Sequence, residues 1–155
     1  MTEGEWLSPA AMLAWRSFLE LHAQLMPIVE EQLARDGSIS HAQYGVLLSL
    51  QAEPQGLTMT ELAGAVFVSK SGLTYQVDRL VDAGFVSRAV DPDDERRRVV
   101  RITREGIAVL AAIAPGHIAT LREYFIGGLD GAQVEHLAHG LAAVSRGIEA
   151  RKRGE

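Results

Sequence analysis

The sequence predicts a mainly α-helical chain with one small β-hairpin between its fourth and fifth helices. Three observations predict it. Apolar residues recur at helical spacing in six segments, most of them opened by a capping residue. Two β-prone runs, 85–90 and 97–102, flank the polar turn Asp91-Pro92-Asp93-Asp94. Three short helical segments immediately precede that hairpin. At 155 residues, 47% hydrophobic and 23% charged, the chain has the profile of one globular domain, or of one compact domain with helical extensions.

The elements follow in order. Ser8-Pro9 starts the first helix, with a hydroxyl cap and a proline where its missing N–H is harmless. Trp15, Phe18, Leu21, Leu25 and Val29 share its apolar side, Pro27 is a candidate kink, and Asp36-Gly37 is the break. Ser40 to Gln43 has capping-box spacing and opens a helix carrying Tyr44, Leu47, Leu48 and Leu50. Glu53-Pro54-Gln55-Gly56 ends it. Thr58 to Glu61 is a second capping box, opening a helix to about Val66. Ser69 caps a fourth helix with Leu73, Val77, Leu80 and Val81 on one side, and Gly84 stands where a helix C-terminus favours glycine. After the hairpin, Thr103 caps a fifth helix, with Pro115-Gly116 a candidate bend and Gly127-Gly128 the break. Asp130 caps the sixth, whose stripe is Val134, Leu137, Leu141, Val144 and Ile148.

Composition excludes several function classes. There is no cysteine, so thiol sensing, disulfides and thiolate metal sites are out. The acidic N-terminal segment lacks the basic region of a signal peptide, and no apolar run approaches a membrane span, so a cytoplasmic protein is expected. The five histidines stand in no catalytic motif, and an enzyme is not expected. His136 and His139 have a spacing able to share a metal, but no acidic or thiolate partner accompanies them; neither metal nor cofactor is expected.

Net charge is −5, from 15 basic and 20 acidic residues, yet it is unevenly placed. Residues 69–104 hold eight basic against six acidic residues and net +2, while the remainder holds seven against fourteen and nets −7.

Short helix, short helix, helix, hairpin is the order of a winged helix-turn-helix, with Phe67-Val68-Ser69 as its turn. Opposite its apolar side, the fourth helix offers Lys70, Ser71, Thr74, Tyr75, Gln76 and Arg79, donors of the kind that read base edges and hold phosphates. A solvated helix face has the same look; the ordered combination with a basic hairpin tells against it.

Residues 57–106, from Leu57-Thr58 to Glu105-Gly106, resemble the DNA-binding core of the MarR family of bacterial transcriptional regulators. The likeness lies in Ser69, Ser71, Leu73-Thr74, Val77, Leu80, Gly84, Val86 and Arg88, then Asp94-x-Arg96, Ile102-Thr103 and Gly106. The flanking helices match the family in number and length. The resemblance implies a homodimeric DNA-binding repressor, with residues 1–35 and 105–155 forming the dimerisation region and 36–104 the winged helix-turn-helix. The apolar stripes of the first and last helices independently call for a partner surface.

In this reading Ser71, Thr74 and Gln76 contact bases or lie near them, at the end of the helix that Ser69 opens, and Lys70, Tyr75 and Arg79 hold phosphates. Arg96 enters the minor groove from the wing, oriented by Asp94, with Arg97 a further candidate and Arg98 lying along the strand. Many family members carry arginine where this chain has Glu95. The family also implies a small aromatic effector. Trp15, His22, His41, Tyr44, His117 and Tyr124 are candidates to line its pocket, although Trp15 and Tyr44 taken singly read as core aromatics. The rival expectation is a winged-helix module that binds proteins and not DNA, for which the acidic net charge speaks.

Overall fold

A computed structural model describes residues 7–66, 70–91, 94 and 96–154, with the side chains of residues 70, 71 and 153 excepted. Six α-helices and a two-stranded hairpin follow one another as α1 (Pro9–Gly37), α2 (His41–Ala52), α3 (Met59–Ala65), α4 (Lys70–Asp82), β1 (Val86–Val90), β2 (Arg98–Ile102), α5 (Arg104–Leu121) and α6 (Gly131–Arg153). The predicted fold class is the one observed. The turn 67–69, and with it Ser69, lies outside the described residues. The chain forms two compact units, residues 1–118 and 119–155.

Local chemistry sets the element boundaries in the first unit. Ser8 Oγ accepts the Ala11 N–H at 3.2 Å, and α1 then runs unbroken through Pro27. It extends through the expected break at Asp36-Gly37 to end at Gly37, and closes on Ser38 in the left-handed region (φ 53°), whose N–H donates to the Ala34 carbonyl. Ser40 with Gln43 and Thr58 with Glu61 form complete capping boxes for α2 and α3. At the end of α4 the Phe85 N–H reaches back to the Leu80 carbonyl at 2.9 Å, a closure that passes through Gly84 at φ 75°.

One apolar cluster lies beneath α2, α3 and α4. Leu47, Leu50, Leu62, Leu73, Val77 and Leu80 are fully or almost fully buried there, joined by Leu33 of α1, Val86 and Val100 of the hairpin and Ile113 of α5. Leu48, counted by spacing as apolar-facing, is 42% exposed, because at helical spacing it points away from the side of α2 that carries Val46, Leu47 and Leu50. The first half of α1 contributes nothing to this core: Leu13, Trp15, Phe18 and Leu19 are all exposed. Trp15 is therefore not the core aromatic that its residue type suggests.

The hairpin is antiparallel, with Val86 opposite Ile102, Arg88 opposite Val100 and Val90 opposite Arg98. Leu57 adds a one-residue third strand: its N–H donates to the Val100 carbonyl at 3.0 Å, and Val100 returns the bond at 2.8 Å. The wing is thus tied at its base to the loop before α3. Pro115-Gly116 does not interrupt α5.

In the second unit, α5 passes into a π-helical turn at Arg122–Ile126, and Asp130 with Gln133 caps α6. Leu141, Val144 and Ile148 of α6 are exposed. No helix among the described residues is long and apolar enough to cross a membrane.

Candidate nucleic-acid interface

The helix pair α3–α4 and the hairpin set the geometry of the basic segment. Leu73, Val77 and Leu80 anchor α4 in the core, so its opposite side faces outward. Thr74, Tyr75 and Arg79 are exposed on that side, Tyr75 at 62%, and Gln76 is half-buried. Lys70 and Ser71 begin α4, but their side chains lie outside the described residues, as does Ser69 altogether. Among the described residues the Arg79 side chain is exposed and enters no ion pair.

The three arginines of the wing have different surroundings. Arg96 is exposed and its guanidinium has no ion-pair partner among the described residues. Asp94 acts on it through the main chain: the Asp94 carboxylate accepts the Arg96 backbone N–H at 2.9 Å and does not hold the guanidinium as its spacing had suggested. It shapes the turn that presents Arg96. Arg98 opens β2 and is exposed.

Arg97 is committed elsewhere. One amino group donates to Asp91, which is 8% exposed, and the other donates to both oxygens of Glu61 on α3, each at 2.7 Å. The hydrogen bond that Arg97 donates to Asp91, then those it donates to Glu61, push its guanidinium above its ordinary pKa. Glu61 is held below the ordinary carboxylate range, chiefly by the Thr58 backbone and hydroxyl and then by Arg97. A second tie links wing and α4, where Arg88 of β1 donates to Asp78. Sequence spacing did not reveal these ties, because 36 residues separate Glu61 from Arg97.

The expected effector residues separate into groups. Trp15 stacks on Phe18 along the exposed side of α1, with ring centroids 5.9 Å apart, and His22 lies tilted against Phe18 at 6.1 Å. Tyr44 and His117 meet elsewhere, 4.9 Å apart, and the His117 Nδ1 lies 2.9 Å from the Gln32 amide oxygen. Gln32 is buried and donates in turn to Asp36 at 2.9 Å, so Nδ1 carries the proton toward Gln32. Burial, and then the charge of His41, pushes the His117 imidazole below its usual pKa; burial raises that of Tyr44. Tyr124 belongs to the second unit. His136 and His139 are both exposed, and no group of three metal-ligating side chains occurs among the described residues.

A short helix, a second helix with an outward polar face, and a hairpin carrying an exposed arginine together define a winged helix-turn-helix protein. Comparison with known proteins narrows the class. The MarR family model matches residues 38–97. The HTH-type transcriptional repressor YetL of Bacillus subtilis is 31% identical over 106 residues, which span 68% of this chain and 63% of YetL. The transcriptional regulator HosA of Escherichia coli O111:H- is 35% identical over 98 residues, 63% of this chain and 70% of HosA. Sco3205, a MarR family regulator from Streptomyces coelicolor solved in complex with DNA, is 35% identical with a TM-score of 0.83, covering 92% of this chain and 94% of its own. The chain belongs to the MarR family of transcriptional regulators.

Proposed function

We propose that the chain is a homodimeric regulator of transcription, a repressor, that binds a pseudo-palindromic duplex in the cytoplasm. Each α4 enters a major groove and each wing a minor groove, with half-sites about one helical turn apart. The observation that carries this reading is the outward face of α4, with Thr74, Tyr75 and Arg79 exposed, set beside a wing that presents an exposed Arg96 with no ion-pair partner among the described residues. Likeness to Sco3205 across most of both chains supports it.

Two surfaces support the homodimer. The exposed apolar residues of α1 and the exposed Leu141, Val144 and Ile148 of α6 are more than a soluble monomer ordinarily leaves open. Residues 1–35 and 105–155 would supply that interface, and 36–104 the contacts to DNA. Release by a small aromatic ligand belongs to the same reading. Of the candidate side chains, Tyr44 and His117 are the pair in ring contact, and His41 acts on His117 by charge.

Replacing Arg96 by alanine tests the proposal. Binding to a duplex selected by the unaltered protein should weaken about 5- to 10-fold, and the slope of log affinity against log salt should become shallower by roughly one for each wing removed. The dimer should persist in sedimentation. Unaltered affinity and slope would remove Arg96 from the interface. Salt-independent binding, or none to any duplex, would favour the protein-interaction module.

A further inference from the structure

We propose that Arg97 is a positioning residue: it braces the wing against α3 and thereby fixes where Arg96 points. The inference rests on the reading of Arg96 as the groove probe and goes beyond it.

The hairpin has two kinds of attachment. At its base, the paired hydrogen bonds of Leu57 and Val100 hold β2 to the loop before α3, and the Arg101 Nε–H donates to the Gln55 carbonyl at 2.9 Å. Nearer the tip, Arg97 joins the wing to a helix. Its guanidinium bridges Asp91, at the end of β1, and Glu61, in the first turn of α3. Glu61 is itself fixed, because its Oε2 accepts the Thr58 N–H at 2.8 Å and the Thr58 hydroxyl at 2.9 Å. The brace therefore ends on a side chain already locked by the α3 cap.

Leverage gives the brace its consequence. From Val100 to Arg96 is four residues, the first of them along β2 and the last in the turn, a reach of at most about 13 Å. A swing of about 10° around the Leu57–Val100 tie would carry Arg96 about 2 Å sideways, a large part of a minor groove only about 6 Å wide. Arg88, which pairs with Asp78, stands opposite Val100 and so supports the wing at the level of that tie; Arg97 adds support nearer the tip, and support at two levels along the wing sets its angle.

Electrostatics separates a brace from a phosphate contact. Arg97 with Asp91 and Glu61 is one cation between two carboxylates, so the cluster is net negative. A phosphate approaching the guanidinium would compete with carboxylates that already engage both of its amino groups. Substituting Glu61 by glutamine then reads the role by its sign. Glutamine is a competent capping-box residue, so the α3 cap persists. If Arg97 contacts phosphate, removing the competing negative charge tightens DNA binding. If Arg97 braces the wing, removing its anchor weakens it.

The experiment uses the full chain and a duplex selected from a randomised library by the unaltered protein, with affinities from fluorescence anisotropy. Far-UV circular dichroism confirms that each variant is folded at the assay temperature. Glu61→Gln should bind about 3-fold more weakly; unchanged or tighter binding overturns the proposal. Arg97→Gln should weaken binding about 5-fold in the otherwise unaltered protein and less than about 2-fold when Arg96→Ala is already present, because it acts through Arg96. An equal loss in both backgrounds makes Arg97 an independent contact and also overturns it. If Arg96→Ala alone changes nothing, the groove-probe reading fails and the brace fails with it. That result is separable from an Arg97 loss that persists beside a working Arg96.

Discussion

Gly106 stands at the start of α5, where its N–H donates to the Thr103 hydroxyl at 3.1 Å. A Cβ built there would lie 2.2 Å from the Phe85 carbonyl oxygen and 2.7 Å from a side-chain carbon of Ile102. The Phe85 carbonyl has little room to retreat, since it accepts the Thr103 N–H at 3.0 Å while the Thr103 hydroxyl donates to the neighbouring Gly84 carbonyl at 2.7 Å. Replacing Gly106 by alanine sets two effects against each other. Helix propensity alone favours alanine by about 1 kcal/mol. Forcing a methyl against a pinned carbonyl costs about 1–3 kcal/mol in backbone shift and hydrogen-bond loss, and more if the junction cannot move. The clash should win, lowering the melting temperature by about 2–8 °C for a chain of this size. Gly45, in the interior of α2, has nothing within 4 Å of a built Cβ, so Gly45→Ala should raise it by a degree or more, roughly. Thermal unfolding followed by circular dichroism at one fixed protein concentration measures both. A Gly106→Ala variant that melts at or above the unaltered protein would refute the steric argument.

Two further outcomes follow from the same geometry. His117 has a lowered pKa, so the unfolded chain binds its proton more readily than the folded one; stability should be complete above the ordinary imidazole range and fall as pH drops through 6.5, until the folded imidazole also protonates. Urea unfolding at stepped pH should show this slope, and His117→Asn should flatten it. Ending the chain before Asp130 removes α6 with its exposed Leu141, Val144 and Ile148, and sedimentation should then report a monomer.

Much of the fold was legible because local chemistry decides it. Ser40 with Gln43, Thr58 with Glu61 and Asp130 with Gln133 announce helix starts by spacing alone, and each forms a reciprocal cap. The apolar side of α4 is readable for the same reason: positions three and four apart share a face. What was hidden is non-local. Leu57 pairs with Val100 as a single residue, too short to leave any periodicity. The partners of Arg97 lie on another helix and across the hairpin, so three adjacent arginines look alike in sequence and differ only once the strands are paired. The Asp94-x-Arg96 spacing identified the right pair of residues but not the atoms, because a two-residue separation in a turn brings the carboxylate to the backbone N–H before the guanidinium.

The same pairings resolve the conflict between a net charge of −5 and a DNA-binding role. Three of the six acids in residues 69–104 are engaged within the wing and α4: Asp78 pairs with Arg88, Asp91 with Arg97, and Asp94 accepts a backbone N–H. Arg79, Arg96, Arg98 and Arg104 are exposed without an ion-pair partner among the described residues, and the first three of them stand on α4 and the wing. On the proposed reading the charge that DNA would meet is set by such residues near it, not by the chain average, because exposed charges farther away than about 10 Å are screened at ordinary salt. Three such arginines in each of two protomers would displace about six counterions, which corresponds to a log–log salt slope of roughly −5. A slope near zero in a titration from low to moderate salt would mean that these arginines do not meet phosphate. A slope far steeper would mean that cations outside this set, Lys70 first among them, carry much of the contact.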